Sequence, residues 1–216
     1  MPKRLQRKLR KTPDFDVLSE EPEVLAQEVK GKLEAAGLSK VRIYEHEGIG
    51  ELIAPHYELM VGQETIMFIY EPIACHSFNT VAEDGLELRI ATIDTMLSFY
   101  LAFLYSGRPY YDRDRIVCMA KYLFDVQHNN RLKQEGLLRR FSMECYGKQQ
   151  TIISLREQKA DMYKRLKGKK NTKEYQEWFL NYNPEMERQR ERYRRRKTVA
   201  KTPRALKSLR NRTRKK

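Results

Sequence analysis

The sequence predicts an α+β protein in which a small mixed sheet is followed by a mainly helical part. Residues 13–75 have the pattern of strand, helix, strand and hairpin, and the residues after 91 place apolar side chains at helical spacing. Near the C-terminus, Lys and Arg dominate and apolar residues become rare. We therefore expect a sheet domain over residues 1–90, a helical domain over residues 91–183, and a basic tail over residues 184–216 that is disordered or a solvent-exposed helix.

Local signals place the elements of the sheet domain. Pro22 stands where a first-turn proline begins a helix, and Gly37 stands where that helix should end. Apolar and polar residues alternate over residues 41–46, and Gly62-Gln63 separates two strand-like runs, which is typical of a hairpin. We expect strands over residues 14–19, 41–46, 57–61, 65–70 and 86–90.

The helical domain begins with an apolar segment that Thr92 can cap. This segment predicts a helix to residue 105, which the Gly107 and Pro109 region then breaks. A second helix is expected over residues 112–133. Shorter helices are expected at about residues 135–141, 152–167 and 173–180.

Charge is distributed unevenly along the chain. The net charge is +14, but residues 1–12 contribute +6 and residues 187–216 contribute +13, so the rest is −5. A dense basic run releases counterions when it meets nucleic acid, which favours contact with an RNA phosphate backbone, although a targeting signal or a solubility tail has the same composition. The residues that we expect to contact RNA are Arg188, Arg192, Arg194, Arg195, Arg196 and Lys197.

The cysteines and the hydropathy indicate the compartment. Cys75, Cys118 and Cys145 are odd in number and widely spaced, which favours a reducing compartment and predicts no disulfide framework. No apolar run reaches the roughly 18 residues that a membrane span needs. We therefore expect an intracellular protein that is not embedded in a membrane.

Asp14 and Asp16 form the sharpest local signal. Two residues apart on a strand, they point to the same face, where two carboxylates repel each other unless a cation lies between them. Mg²⁺ prefers such oxygen ligands and takes substrate phosphates as further partners. The pair therefore predicts a metal site for phosphoryl transfer, while a solvent-facing strand or an Asx turn after Pro13 would explain it equally well.

Other reactive side chains have simpler explanations. Cys75 and His76 are adjacent on an extended segment and point to opposite faces, so they cannot form a dyad and are expected to be a buried thiol and a hydrogen-bonded imidazole. Asp94 stands in the first turn of a helix, where a negative charge is favourable, with a base or ribose contact at the domain junction as the alternative. Tyr110 and Tyr111 are expected to pack at the start of a helix, with base stacking as the alternative.

Several longer stretches together resemble one known family. They are MPKR at residues 1–4, TPDFDVLS at 12–19, FIYEPIACHS at 68–77, IATIDTMLSFYLAF at 90–103, RPYY at 108–111, and FS with CYG between 141 and 147. Over about residues 1–182 the chain resembles the poly(A) polymerase catalytic subunits of large nucleocytoplasmic DNA viruses.

This resemblance implies a fold and an activity. The fold would be a partial nucleotidyltransferase sheet of the polymerase-beta type joined to a helical domain. The activity would be template-independent addition of adenylates from ATP to the 3′ end of RNA, with Mg²⁺ or Mn²⁺ as cofactor and Asp14 and Asp16 as the first metal ligands. The partners would be ATP, an RNA 3′ end, and either a second copy or a processivity subunit. The location would be the host cytoplasm, in a viral factory, or the virion.

Two departures from the family pattern leave the activity of this chain open. The family has a Gly-rich, phosphate-binding turn ahead of the Asp pair, whereas residues 1–13 contain no glycine, as if the chain were N-terminally truncated. The third carboxylate is expected near Met67, where Glu71 or, on the opposing strand, Glu58 could serve; we take Glu71 as the third metal ligand. The alternative is a catalytically incompetent RNA-binding or assembly subunit with the same fold.

Overall fold

The structure is a computed structural model that describes residues 14–83, 85–130, 133 and 136–180. These residues form a mixed α+β fold, as the sequence predicts. The strands are β1 (Phe15–Leu18), β2 (Val41–His46), β3 (His56–Val61), β4 (Glu64–Tyr70), β5 (His76–Glu83), β6 (Leu86–Ala91) and β7 (Glu144–Tyr146). The helices are α1 (Pro22–Ala35), α2 (Ile93–Ser106), α3 (Arg113–Asn130), α4 (Ile152–Leu166) and α5 (Lys173–Phe179).

The larger sheet has four strands in the order β1-β4-β3-β2. β1 runs parallel to β4, with Asp16 opposite Phe68, while β3 is antiparallel to both of its neighbours. The predicted β3–β4 hairpin is confirmed, and Gly62 at its turn has a φ of 65°, a left-handed conformation that glycine adopts without strain. A register shift between Leu59 and Met60 adds a bulge to this hairpin.

One face of this sheet packs against α1. The helix begins at Pro22, as predicted, and its Ala26 lies fully buried against Leu59 and Ile69. Successive side chains on a strand point to opposite faces of the sheet. Leu59 on β3 and Ile69 on β4 therefore face α1, and their neighbours in the strands face the other side. Burying such aliphatic side chains stabilises the fold by roughly 1.5–3 kcal/mol each.

The opposite face packs against α2 and α3. α2 has the predicted cap, since Thr92 Oγ1 accepts a hydrogen bond from the Thr95 N–H at 3.3 Å. Phe68 and Tyr70 from β4 join Phe103 and Ile116 from the two helices in one buried cluster. The result is a sheet between a single helix on one side and a helical pair on the other.

The smaller sheet has the order β6-β5-β7 and connects the two predicted domains. β6 confirms the strand predicted after residue 85, but β5 and β7 were not predicted. The helix expected at about 135–141 is wrong, because residues 136–141 contain no helix and lead instead into β7. β7 has only three residues and depends on its pairing with β5, which local propensity cannot show.

This pairing also corrects the cysteine prediction. Ser77 on β5 lies opposite Cys145 on β7, and Cys75 forms a disulfide with Cys145, with Cα atoms 5.3 Å apart. The expectation of no disulfide was wrong because the two residues are 70 positions apart and meet only through β5–β7 pairing. Cys118 is a free cysteine on α3.

The last two helices confirm the predictions for residues 152–167 and 173–180. Threonines cap both of them: Thr151 accepts from Ser154 N–H, and Thr172 accepts from Tyr175 N–H. None of the helices among the described residues is long and apolar enough to cross a bilayer. The N-terminal residues 1–13 and the basic tail lie outside the described residues.

Candidate functional site

Asp14 and Asp16 line the same small pocket. Its volume is about 60 Å³, and its walls also come from β4, α2 and α3. Asp14 stands immediately before β1 and Asp16 lies within it, so the two-residue spacing directs both side chains to the face that is opposite α1. The structure therefore brings together the two carboxylates that the sequence singled out.

The cation beside these carboxylates belongs to the protein itself. The Arg115 guanidinium on α3 donates a hydrogen bond to Asp14 Oδ1. The Asp14 side chain is 16% exposed and that of Arg115 is 28% exposed, so the pair is partly shielded from water. The carboxylate of Asp14 is therefore neutralised by Arg115, which the two-residue spacing of the aspartates could not show.

Asp16 has the perturbed carboxyl of the pair. Its surroundings raise the pKa from 3.8 to about 6, first through burial of the carboxyl and then through the charge of Asp14, while Arg115 acts in the opposite direction. The residue as a whole nevertheless keeps an exposed side, and the water near that side limits the effect of the shift on stability. Burial also raises the pKa of Tyr100 in the pocket wall to about 12.

Neither of the candidate third carboxylates, Glu71 and Glu58, lines the aspartate pocket. Phe68, which is opposite Asp16 on the neighbouring strand, presents an aromatic ring to the pocket. Glu71 follows the end of β4 and lines a different, larger cleft, so the structure does not place it in the pocket with the aspartates. Glu58 is opposite Phe68 on β3, which puts it on the same face as Asp16 but two strands away.

Glu58 already has two partners. Its Oε2 is 2.8 Å from His46 Nε2, and its Oε1 accepts a hydrogen bond from the Thr65 hydroxyl. With only 8% of its surface exposed, Glu58 belongs to a buried polar network. Across the described part of the chain, no group of three or more His, Cys, Asp or Glu side chains is arranged to hold a metal ion.

Two carboxylates are nevertheless a donor set that fits Mg²⁺ or Mn²⁺. Mg²⁺ is commonly bound by one or two carboxylates, with water and substrate phosphates as its remaining ligands. The like charge of Asp14, which raises the pKa of Asp16, is the kind of repulsion that a bound cation relieves. Asp14 and Asp16 are therefore the residues that could hold the metal, provided that Arg115 releases Asp14.

Sequence reasoning missed Arg115 and the aromatic wall of the pocket. Arg115 is adjacent to Ile116, which stands on the apolar side of the predicted second helix. A cation beside the core-facing side of a helix needs an acidic partner. The position of Arg115 next to Ile116 could therefore have identified it as the partner of an acid. The aromatic residues of the wall are Phe68, Tyr70, Tyr100, Phe103, Tyr110 and Tyr111.

The remaining candidates have structural roles. Cys75 is in the disulfide, and the half-buried ring of His76 packs 5.2 Å from that of Phe99, so no Cys–His dyad exists. Asp94 lies in the first turn of α2, as predicted, and pairs with Arg140 at 3.5 Å. Tyr111 stacks on Phe103 with ring centroids 4.3 Å apart, as aromatic packing predicts. The six tail residues expected to contact RNA lie outside the described residues.

A larger cleft, about 810 Å³ in volume, lies where α4 and α5 approach the loops around Gly50 and Pro72. Glu177 on α5 is buried beside this cleft and forms ion pairs at 3.2 Å with both Arg108 and Lys173. A Cβ on Gly50 would lie 2.6 Å from the backbone of Glu177, so the approach of α5 depends on glycine at this position. The cleft is also lined by Trp178, the single tryptophan of the chain.

Comparison of the chain with protein-family models finds no match, and comparison with curated proteins finds none either. The function of the chain is therefore inferred from the pocket geometry and the charge distribution. Of these, the position of the aspartate pair carries the most chemical information.

Proposed function

We propose that this chain acts in a viral poly(A) polymerase catalytic subunit and has a nucleotidyltransferase fold. The proposed reaction is template-independent transfer of adenylyl groups from ATP to an RNA 3′ end. The observation that carries the proposal is the convergence of Asp14 and Asp16 in one pocket, on a strand followed by a helix and then by further strands of the same sheet.

The proposal gives each residue of the pocket a task. Asp14 and Asp16 would hold a divalent cation, which would neutralise charge on the triphosphate during transfer. Arg115 balances the charge of Asp14 without metal, and once released its guanidinium could donate to a phosphate oxygen. Phe68 and Tyr100 line the same pocket and give it an aromatic wall.

Binding of Mn²⁺ is the most direct test. We expect the full chain to bind Mn²⁺ in the presence of ATP, as measured by electron paramagnetic resonance of the free ion, and the Asp14→Asn and Asp16→Asn variants to lose this binding. Asp125→Asn is the matched control, because Asp125 is an exposed α3 carboxylate that pairs with Lys121. Equal binding by wild type and both pocket variants would contradict the proposal.

Extension of an RNA primer with ATP is the second measurement. Because residues 1–13 hold no glycine, we expect slow extension by this chain alone, since loss of even one backbone donor to developing charge typically costs about 10²–10³ in rate. Whatever activity remains should require Mg²⁺ or Mn²⁺ and vanish in Asp16→Asn. Fast extension would show that the Gly-rich turn is not needed.

A catalytically incompetent RNA-binding or assembly subunit is the second candidate. It is favoured by the Arg115–Asp14 ion pair, which satisfies one carboxylate without metal, and by Phe68 in the position facing Asp16. This candidate predicts no ATP-dependent Mn²⁺ binding, together with RNA affinity that is unchanged in Asp14→Asn and Asp16→Asn. The Mn²⁺ measurement therefore separates the two candidates.

A further inference from the structure

The connection between α4 and α5 is strongly basic. Residues 164–173 contain six Lys or Arg and no acid: Lys164, Arg165, Lys167, Lys169, Lys170 and Lys173. Three of these have carboxylate partners. Lys164 pairs with Asp161, Arg165 with Glu174, and Lys173 with Glu177. Among the described residues, no ion pair involves the other three, Lys167, Lys169 and Lys170, all of which are exposed.

Hydrogen bonds define the conformation of this basic loop. Leu166 is fully buried at its start, and the Lys169 N–H donates to Leu166 O at 2.8 Å. The Thr172 N–H and hydroxyl both donate to Lys169 O, at 2.9 and 2.7 Å, and Thr172 caps α5. Because the backbone is held at both ends, a ligand that meets the three lysines does not have to order the loop.

The basic loop adjoins the large cleft. Arg165 and Lys173 line the cleft together with Trp178. The other wall carries carboxylates, including Glu47 and Glu71, which would repel phosphates but can accept hydrogen bonds from the amino groups of bases. A strand with its phosphates on the lysines and its bases toward the cleft would satisfy both surfaces.

We propose that the basic loop and the adjoining cleft form a binding site for single-stranded nucleic acid. Lys167, Lys169 and Lys170 contact successive phosphates, and a base enters the cleft near the half-buried ring of Trp178. Its three lysines precede the basic tail in the sequence. This proposal rests on the proposed function only in taking RNA as the nucleic acid that binds.

The test uses the full chain, a short oligoadenylate, and no ATP or divalent metal. Binding is followed by quenching of the fluorescence of Trp178, which is unambiguous because the chain has one tryptophan. Lys169→Gln/Lys170→Gln is compared with Lys30→Gln/Lys32→Gln, which removes the same charge from two carboxylate-paired positions of α1, one partly buried and one exposed. Each protein is titrated over a range of salt concentrations.

We expect the loop variant to lose most of the quenching. The slope of log affinity against log salt concentration should become less steep by about 1.4, because each of the two lost phosphate contacts contributes about 0.7. The α1 control should match wild type in both. An unchanged slope and unchanged quenching in the loop variant would overturn the proposal, and so would an equal effect in the control. Equally tight, loop-dependent binding of polyglutamate would also overturn it, because the loop would then be a docking site for acidic proteins.

The outcome is distinguishable from that of the proposed function. Asp14→Asn and Asp16→Asn should bind oligoadenylate as wild type does, because the pocket that holds these residues does not share its lining with the cleft. If those two variants lose Mn²⁺ while the loop variant still binds oligoadenylate normally, the metal site stands and the RNA site fails. The reverse pattern would retain the RNA site and remove the catalytic proposal.

Discussion

The two faces of the four-stranded sheet bury different kinds of side chain. Toward α1 the sheet presents aliphatic residues such as Leu59 and Ile69, both fully buried. Toward α2 and α3, the alternate positions of the same strands carry His56, Glu58 and Tyr70. Apolar side chains only have to pack closely, whereas each buried polar group needs a hydrogen-bonding partner. Stability should therefore depend on protonation and on specific contacts at the face toward α2 and α3.

The largest effect is expected on the apolar face. Ile69→Ala removes a fully buried side chain that packs under α1, and deletions of this size cost about 2–5 kcal/mol through lost transfer free energy and the residual cavity. The measurement is the free energy of unfolding in urea. Leu86→Ala, at a leucine that is 65% exposed, is the control and should stay within about 0.5 kcal/mol of wild type. A cost below about 1 kcal/mol for Ile69→Ala would mean that this face is not tightly packed.

The polar face should respond to pH through His56. His56 is fully buried, its ring stacks between those of His46 and Tyr70, and its Nδ1 is 3.1 Å from Ala54 O. Burial, with a smaller contribution from the His46 charge, lowers its pKa from 6.5 to about 4, while the Ala54 contact and Glu58 act in the opposite direction.

Protonation of His56 favours the unfolded chain. The unfolded chain protonates His56 near pH 6.5 and the folded chain only near pH 4, so stability is complete above pH 6.5 and is lost as the pH falls toward 4. The loss should approach about 3 kcal/mol. His56→Phe keeps a ring in the stack and should remove this part of the pH dependence of urea unfolding, whereas His128→Phe, at an exposed histidine, should leave it intact. Identical pH profiles for wild type and His56→Phe would contradict the prediction.

The apolar face was predictable from the sequence because its signal is local. Alternation over residues 41–46 and the Gly62 turn give β2, β3 and β4, and Pro22 gives the start of α1. The polar face depends on long-range contacts: Arg115 reaches Asp14 across 101 residues, and β7 reaches β5 to bring Cys145 to Cys75. Period-two geometry therefore found Asp14 and Asp16, but local sequence spacing could not show which cation lies beside them or which carboxylates are near.

The smallest effect is expected at Asp16, and its sign is opposite to that of His56. Its folded pKa, about 6, lies above the ordinary 3.8, so its contribution to stability is present below pH 3.8 and is lost as the pH rises through 6. Asp16→Asn should therefore gain stability relative to wild type across this window when unfolding is measured in urea with EDTA. The gain should be modest, since water screens the exposed side of the residue.

Arg115 sharpens this last prediction. Its charge lowers the pKa of Asp16, so Arg115→Met should raise that pKa further and move the window in which Asp16→Asn gains stability to higher pH. The measurement is the same titration, with Asp16→Asn made both in wild type and in Arg115→Met. Asp125→Asn, at an exposed carboxylate outside the pocket, is the control variant. If the window does not move, Arg115 neutralises Asp14 alone, and the two aspartates do not share one electrostatic site.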